Sequence, residues 1–347
     1  MAGVLRPRHA HARHGSPGGL LALMTVEVSL GLWQDRPAAE ALATARLVGE
    51  LGFDALWIGE MATYDAFALA TAVGPLLPST RLVLGPFAVT VRDPVMIAMG
   101  AASVASLTGR PVGVALGTSS PVVVEQWHGR SRARAARALD ESARAVRLLL
   151  DGAKADLPGE VVSTRGYRLR LDAPGGELIV AAFGPHAVAT AARHADRMVL
   201  NLIDPATAGD LVRRMSAAAD SAGRPRPRVA VWTPAAIGAG FTPAAVEQLR
   251  RGMVGYLGAP GYADMFTRAG FGDVVEFART RPHPRELLAA VPGDLVATVG
   301  VLGDEEAAAK RIAEYRSQGI DDVVLVPAST VDDPAGSATL HAAATLR

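Results

Sequence analysis

Residues 81–120 read RLVLGPFAVTVRDPVMIAMGAASVASLTGRPVGVALGTSS. Short β-branched runs at 81–85 and 111–116 flank a longer stretch of helical period, which makes one strand–helix–strand unit. The same alternation continues outward in both directions from residue 25. Strands are expected at 26–32, 55–59, 81–85, 111–116, 178–182, 198–202, 228–235 and 322–326. Eight strands with helices between them, in about 300 residues, fit a (β/α)8 TIM barrel with insertions better than an open doubly wound sheet.

The intervening segments read as outer-layer helices. Residues 37–51 place Ala41, Ala45 and Val48 on one stripe and stop at Gly52, and residues 131–150 do the same with Leu139, Ala143, Val146 and Leu150. A last helix at 304–318 opens on Asp304, Glu305 and Glu306, which complement its dipole, and buries Ala308, Ile312 and Tyr315. Two segments exceed a plain barrel connection. Residues 151–176 are expected to form a small hairpin, and 237–292 a helical insertion after the seventh strand. An insertion there rises over the C-terminal face, as a substrate wall or as a packing element.

Residues 1–23 carry His9, His11 and His14 among Gly, Pro and Arg with no period of either kind. They read as a disordered leader or a mis-called start, Met24 being the natural beginning, and 24–347 as one barrel domain. The whole chain of 347 residues has a formal net charge of +1. Three of its arginines lie in the leader, so the rest carries no basic field that would invite nucleic acid. Zero cysteines exclude disulfides, thiolate nucleophiles and zinc–thiolate or iron–sulfur sites. Apolar runs all fall short of the ~18 residues of a membrane span, and 20–24 is too short for a signal-peptide core. A cytoplasmic protein with a small-molecule substrate is expected, with self-association as a homodimer left open.

Function in a barrel sits just past the strands, and these positions are poor in catalytic groups. No GxSxG occurs, and no carboxylates cluster with His as metal ligands. The most informative run is AAFGPHAVATAARHAD, residues 181–196. Here Gly184 permits a sharp turn and a close backbone approach, and Pro185 fits the first helical turn. The free N–H groups near His186 and Ala187 then offer an anion site, most naturally for phosphate; a bare strand-to-helix turn is the alternative. GPFAVTVRDP, residues 85–94, either lines a pocket with backbone or caps the core with Phe87 and Val89. LGTSS at 116–120 offers hydroxyls or is a plain loop. Glu125 and His128 read as a solvated pair rather than as acid and base.

In their order and spacing these motifs resemble the luciferase-like flavin- and deazaflavin-dependent oxidoreductases, and among them the coenzyme F420-dependent branch. ARLVGELGFDALWIGE resembles the second strand of that family with its preceding helix, residues 81–120 its third and fourth units, and AAFGPHAVATAARHAD its cofactor-phosphate turn. The resemblance implies a barrel holding a tricyclic cofactor at its C-terminal mouth. It places the ring against Ala88, Val89 and Thr90, where the family often has a non-prolyl cis peptide. It gives Thr118 and Ser119 cofactor contacts, and makes Ala182, Phe183, Gly184, Pro185 and His186 the floor and phosphate cradle.

The sequence departs from the family at two positions. Where some deazaflavin dehydrogenases have an acid–His pair after strand two and a Glu after the strand-four Gly-Thr, this chain has Glu60 with Met61, and Ser120. The resemblance therefore implies a reductase passing hydride from reduced F420 to an enone, imine or similar small organic acceptor, with Glu60 or a water as proton source. An FMN-dependent monooxygenase of the same fold is the alternative, and a non-catalytic deazaflavin-binding protein a second. A non-redox lyase or isomerase is further off, because Lys154 and Lys310, the two lysines, lie outside the strands. Trp33, Trp232 and the 237–292 insertion are the expected substrate wall.

Overall fold

A computed structural model describes residues 25–60, 62–259 and 261–347. The leader and Met24 lie outside the described residues, as does Met61. Eight parallel strands close into a barrel: β1 (Thr25–Ser29), β2 (Ala55–Ile58), β3 (Arg81–Ala88), β4 (Val112–Gly117), β7 (Gly175–Ala181), β8 (Arg197–Asn201), β9 (Arg228–Ile237) and β11 (Asp322–Pro327). The register closes between β8 and β9 with Asn201 opposite Trp232, and between β11 and β1 with Leu325 opposite Val28. The expected barrel and its eight strands are all present.

The remaining strands are short. β5 (Ala155–Leu157) and β6 (Thr164–Tyr167) form the antiparallel hairpin expected within 151–176. β10 (Val301–Gly303), which the sequence did not signal, pairs with the last three residues of β9. The helical stripes bury as expected: Ala41, Ala45 and Val48 in helix Glu40–Glu50, and Leu139, Ala143, Val146 and Leu150 in helix Ala135–Leu150. Tyr315 of helix Glu305–Ser317 is wholly buried, and its hydroxyl donates to the Ile203 carbonyl at 2.7 Å. Each large apolar side chain removed from water in these stripes contributes about 1.5–3 kcal/mol before its entropy cost.

Alternate residues of each strand point into the barrel, and they sort into layers. The middle layer is apolar, with Trp57, Val83, Ala115, Ile179, Val199, Ala230 and Val324 packed together. Below it, at the N-terminal end, lie Glu27, Arg197 and Asp322, each fully buried. Arg197 Nη1 is 3.0 Å from Glu27 Oε2 and 3.4 Å from Asp322 Oδ2, and its Nη2 is 2.7 Å from Glu177. Arg81 pairs with Glu27, Arg228 with Asp322, and the Trp57 indole donates to Glu27 at 2.6 Å. Burial alone would raise the Glu27 carboxyl; the Arg197 and Arg81 charges outweigh it and hold it below the usual range. Asp322 goes the other way, raised by burial and by the neighbouring Glu27 charge. Above the apolar layer the inward positions of β2 and β4 fall to Gly59 and Gly117, and that of β7 to Ala181. Small residues there admit close neighbours, since a Cβ at Gly59 would meet the Trp232 ring at 3.2 Å and one at Gly117 the Pro86 ring at 3.2 Å.

Candidate functional site

The mouth is framed by the segments that follow the strands. Past β2 and β3, Glu60 and Arg92 meet face to face. Arg92 Nε donates to Glu60 Oε1 at 2.6 Å, its Nη2 reaches Glu60 Oε2 and Asp65, and the guanidinium lies 5.2 Å from the Phe67 ring and 5.6 Å from the Phe87 ring. The Ala66 backbone N–H donates to Glu60 as well, at 3.2 Å. Hydrogen bonding to Glu60, and then to Asp65, pushes the Arg92 pKa above its ordinary value. Both Glu60 oxygens are thereby engaged. The geometry is that of a carboxylate that orients an arginine.

β3 runs past its glycine, as the apolar run to Arg92 suggested, and its register against β4 shifts between Leu84 and Phe87. The cis peptide bond lies there, at Gly85–Pro86, and not within Ala88, Val89 and Thr90 as expected from the resemblance. A prolyl tertiary amide makes the cis form accessible where an ordinary amide does not. Phe87 and Val89 are buried in the core, so Val89 offers the mouth only backbone, and its N–H is given to the Gly117 carbonyl. Ala88 and Thr90 are half-buried. The Thr90 hydroxyl oxygen is itself buried and has no hydrogen-bond partner.

After β4, Thr118 is half-buried and Ser119 exposed, the latter with φ 55°. Arg132 Nη2 donates to the Ser119 carbonyl at 2.7 Å, which holds the loop in shape. No partner among the described residues takes either hydroxyl. Glu125 and His128 are exposed, as a solvated pair would be.

The turn after β7 carries the anion-site expectation. Ala182 is buried and contributes backbone, Phe183 is half-buried, and Gly184, Pro185 and His186 are exposed. Helix Pro185–His194 starts at Gly184, whose φ of −83° and ψ of 163° are ordinary extended values. The turn therefore does not require glycine, contrary to the reading that Gly184 permits a sharp bend. What glycine leaves is room: a Cβ there would meet nothing within 4 Å. The other helices that begin with proline after an N-cap of Asp93, Asp204, Thr242 or His283 have that side chain accepting a first-turn N–H. Gly184 cannot, and the first-turn donors stay free with the positive end of the dipole behind them.

The insertion closes the far side. Trp33 donates its indole N–H to the Pro327 carbonyl at 2.9 Å and packs against Gly252. Asp35 pairs with Arg251 at 3.5 Å. Tyr262 packs against Phe183 at a tilt of 46° with ring centroids 4.6 Å apart and meets Tyr256 edge-on at 4.9 Å, and its hydroxyl accepts a hydrogen bond from Asn201 Nδ2 at 2.9 Å. Trp232 packs tilted by 47° against Trp57 with ring centroids 5.8 Å apart, reaches towards Gly59, and its buried indole N–H has no partner among the described residues. Sequence reasoning placed Trp33 and Trp232 here but missed Tyr256 and Tyr262. Their glycine-flanked run, GYLGAPGY at 255–262, was the available signal.

Among the described residues no three His, Cys, Asp or Glu gather as metal ligands, and no helix is long and apolar enough to cross a membrane. A closed parallel barrel with an uncapped helix start and unpartnered Thr90 and Trp232 groups past its strands is suited to an anionic ligand that carries a polar ring. The chain belongs to the luciferase-like monooxygenase family, whose model matches residues 8–322, and this places it among the oxidoreductases. It is 25% identical over 335 residues to a Mycobacterium tuberculosis protein assigned by name to the coenzyme F420-dependent oxidoreductases, covering 88% of this chain and 96% of that one. Its fold is similar to that of a coenzyme F420-dependent tetrahydromethanopterin reductase from Methanopyrus kandleri (TM-score 0.75, 17% identity, 93% and 98% of the two chains). It is also similar to that of a monooxygenase from Streptomyces bottropensis (TM-score 0.68, 18% identity, 93% and 98%).

Proposed function

We propose that this chain is a coenzyme F420-dependent oxidoreductase acting on a small organic acceptor. The observation that carries the reading is the turn after β7: an uncapped helix start beside an exposed Gly184 with open space where a side chain would stand. The buried, partnerless Thr90 hydroxyl and Trp232 indole fit a polar ring at the mouth, because buried polar groups ordinarily have partners. Phe183, Gly184, Pro185 and His186, with the backbone of Ala182, would hold the phosphate end. Ala88, Val89 and Thr90 would back the ring, and the free Thr118 and Ser119 hydroxyls would hydrogen-bond to the cofactor.

When bound, a reduced deazaflavin supplies hydride. The protein's share is orientation, water exclusion and electrostatics. Glu60 fixes Arg92 over Phe67 and Phe87 and so braces the β2–β3 rim, which leaves a water as the proton source in this reading. The relative named for F420 dependence supports the cofactor assignment. FMN is the second reading, favoured by the family's monooxygenase members, since a flavin presents a similar ring and phosphate. Titrating the purified protein with F420 and with FMN tests both. Tighter binding of F420 is expected, and FMN bound at isolation would overturn the assignment.

A further inference from the structure

The turn after β7 is held from outside itself. Gly184 has no side chain and Pro185 and His186 are exposed, so of residues 183–186 it is Phe183 whose side chain packs inward against the core. The helices capped by Asp93, Asp204, Thr242 and His283 each tie the N-cap to the first turn through a side-chain hydrogen bond, and helix Pro185–His194 has no such tie. Phe183 meets the insertion instead. Its ring lies 4.6 Å from that of Tyr262, and Tyr256 backs Tyr262 edge-on at 4.9 Å. The last register pair of β7 and β8 is Ala181 opposite Val199, so Phe183 and Asn201 stand two residues further along adjacent chain segments. Tyr262 spans the two: its ring meets Phe183 while its hydroxyl accepts from Asn201 Nδ2 at 2.9 Å. The preceding Gly261 has φ 85°, a left-handed value that suits glycine, and a Cβ there would touch Phe183 Cβ at 3.5 Å, so the backbone of the insertion comes down onto the same side chain.

We propose that Tyr262 is a positioning residue for phosphate at the β7 turn: braced by Asn201 and Tyr256, it fixes Phe183 and with it the adjoining Gly184 backbone, where the free first-turn donors begin. The inference rests on the phosphate reading of that turn given above. A brace of this kind acts through preorganisation. Donors already in place need no ordering when the ligand arrives, whereas a turn without the brace must be ordered by the phosphate itself, at the expense of affinity. The coupling is reciprocal: phosphate bound at the turn holds Tyr262, and the glycine-rich 255–271 segment around it, docked by the same factor. The phosphate end alone feels the brace, because the ring of the cofactor lies against β3 and β4 in the proposed placement.

The test compares each cofactor with its own phosphate-free core: FMN with riboflavin, and F420 with the 8-hydroxy-5-deazaflavin that lacks its phosphate arm. The ratio of dissociation constants within a pair reads the phosphate contact and cancels the ring. In the parent at least one phosphorylated ligand should bind about tenfold or more tightly than its core. Tyr262→Leu, which removes ring and hydroxyl together, should reduce that preference about tenfold while the cores bind as they do to the parent. Tyr262→Phe keeps the ring against Phe183 and should lose no more than about threefold of it. A general loosening of the fold would weaken cores and phosphorylated ligands alike and leave the ratio unchanged. A second measurement needs no variant: in the parent, amide hydrogens of residues 255–271 should exchange about tenfold more slowly with the preferred phosphorylated ligand at saturation than with its core. A ratio retained in Tyr262→Leu, or equal exchange with the two ligands, overturns the proposal while the phosphate reading stands. A parent that binds both cores as tightly as their phosphorylated forms overturns the phosphate reading and the proposal together.

Discussion

Replacing Gly184 with aspartate separates fold from cofactor binding, because the two should respond with opposite signs. The backbone at Gly184 (φ −83°, ψ 163°) is open to any residue, and a Cβ there meets nothing within 4 Å, so Gly184→Asp introduces no strain and no clash. The new carboxylate sits at the N-cap and can accept the free N–H groups of His186 or Ala187. Against glycine at an N-cap this is worth a few tenths of a kcal/mol, a slight rise in melting temperature. The same carboxylate takes the donors a phosphate needs and places a like charge beside it. At about 6 Å, with an effective dielectric between about 20 and 80, one unit charge repels another by about 1–3 kcal/mol. Around 2 kcal/mol corresponds to a roughly thirtyfold loss of affinity. The assay is fluorescence titration with F420 and with FMN beside a thermal melt. His186→Ala is the control, since it leaves the backbone donors in place and should weaken binding only modestly. If Gly184→Asp is folded and binds both cofactors as well as the parent does, the phosphate lies elsewhere and the reasoning fails.

Other outcomes follow from the same structure. Glu60→Gln should lower turnover less than about tenfold with cofactor affinity intact, since the carboxylate's oxygens are spent on Arg92 and Ala66; a hundredfold fall with an altered pH profile would restore it as the proton donor. Arg197→Met leaves Glu27 and Asp322 buried without their shared counter-charge, at a cost of about 3–5 kcal/mol, so the melting temperature should fall by at least about 5 °C; a melt within a degree of the parent would show that the network is dispensable. Burial would raise the Glu141 carboxyl, but backbone N–H donors from Val162, Glu160 and Val161, with Arg137, hold it down to about 2. Its folded pKa is below the ordinary 4.5, so its contribution to stability is present above 4.5 and is lost as pH falls from 4.5 through about 2. Stability measured against pH should therefore flatten across that window in Glu141→Gln, and an unchanged acid limb would count against the assignment.

The barrel was legible because each buried strand is a short β-branched run beside a helix with its own stripe and stop, so local pattern and global fold agree. The hairpin and the insertion were legible as excess length. β10 was not: three residues, VLG, carry no period, and their pairing depends on where the insertion returns to β9. Glu27, Arg197 and Asp322 sit within strands at alternate positions, where charge usually means solvent; nothing local says that all three face a shared interior. The β7 turn was read from its Gly-Pro, though for a reason the backbone does not bear out, since the glycine supplies room and not an unusual dihedral. Tyr256 and Tyr262 reach the mouth only through tertiary placement of a segment more than fifty residues beyond Asn201 and Phe183, a distance across which sequence spacing carries no geometry.

The charged layer at the base of the barrel has a kinetic consequence. With Glu27, Arg197 and Asp322 filling that end, the interior is a cup with a single doorway. Whatever sits against β3 and β4 must pass the same opening as whatever later meets Trp232 and Tyr262. With the cofactor placed as proposed, loading should be ordered, the deeper occupant first, and a second molecule arriving early should block the first. Inhibition at high substrate concentration, relieved by raising the cofactor concentration, is the steady-state signature of such a dead-ended vessel.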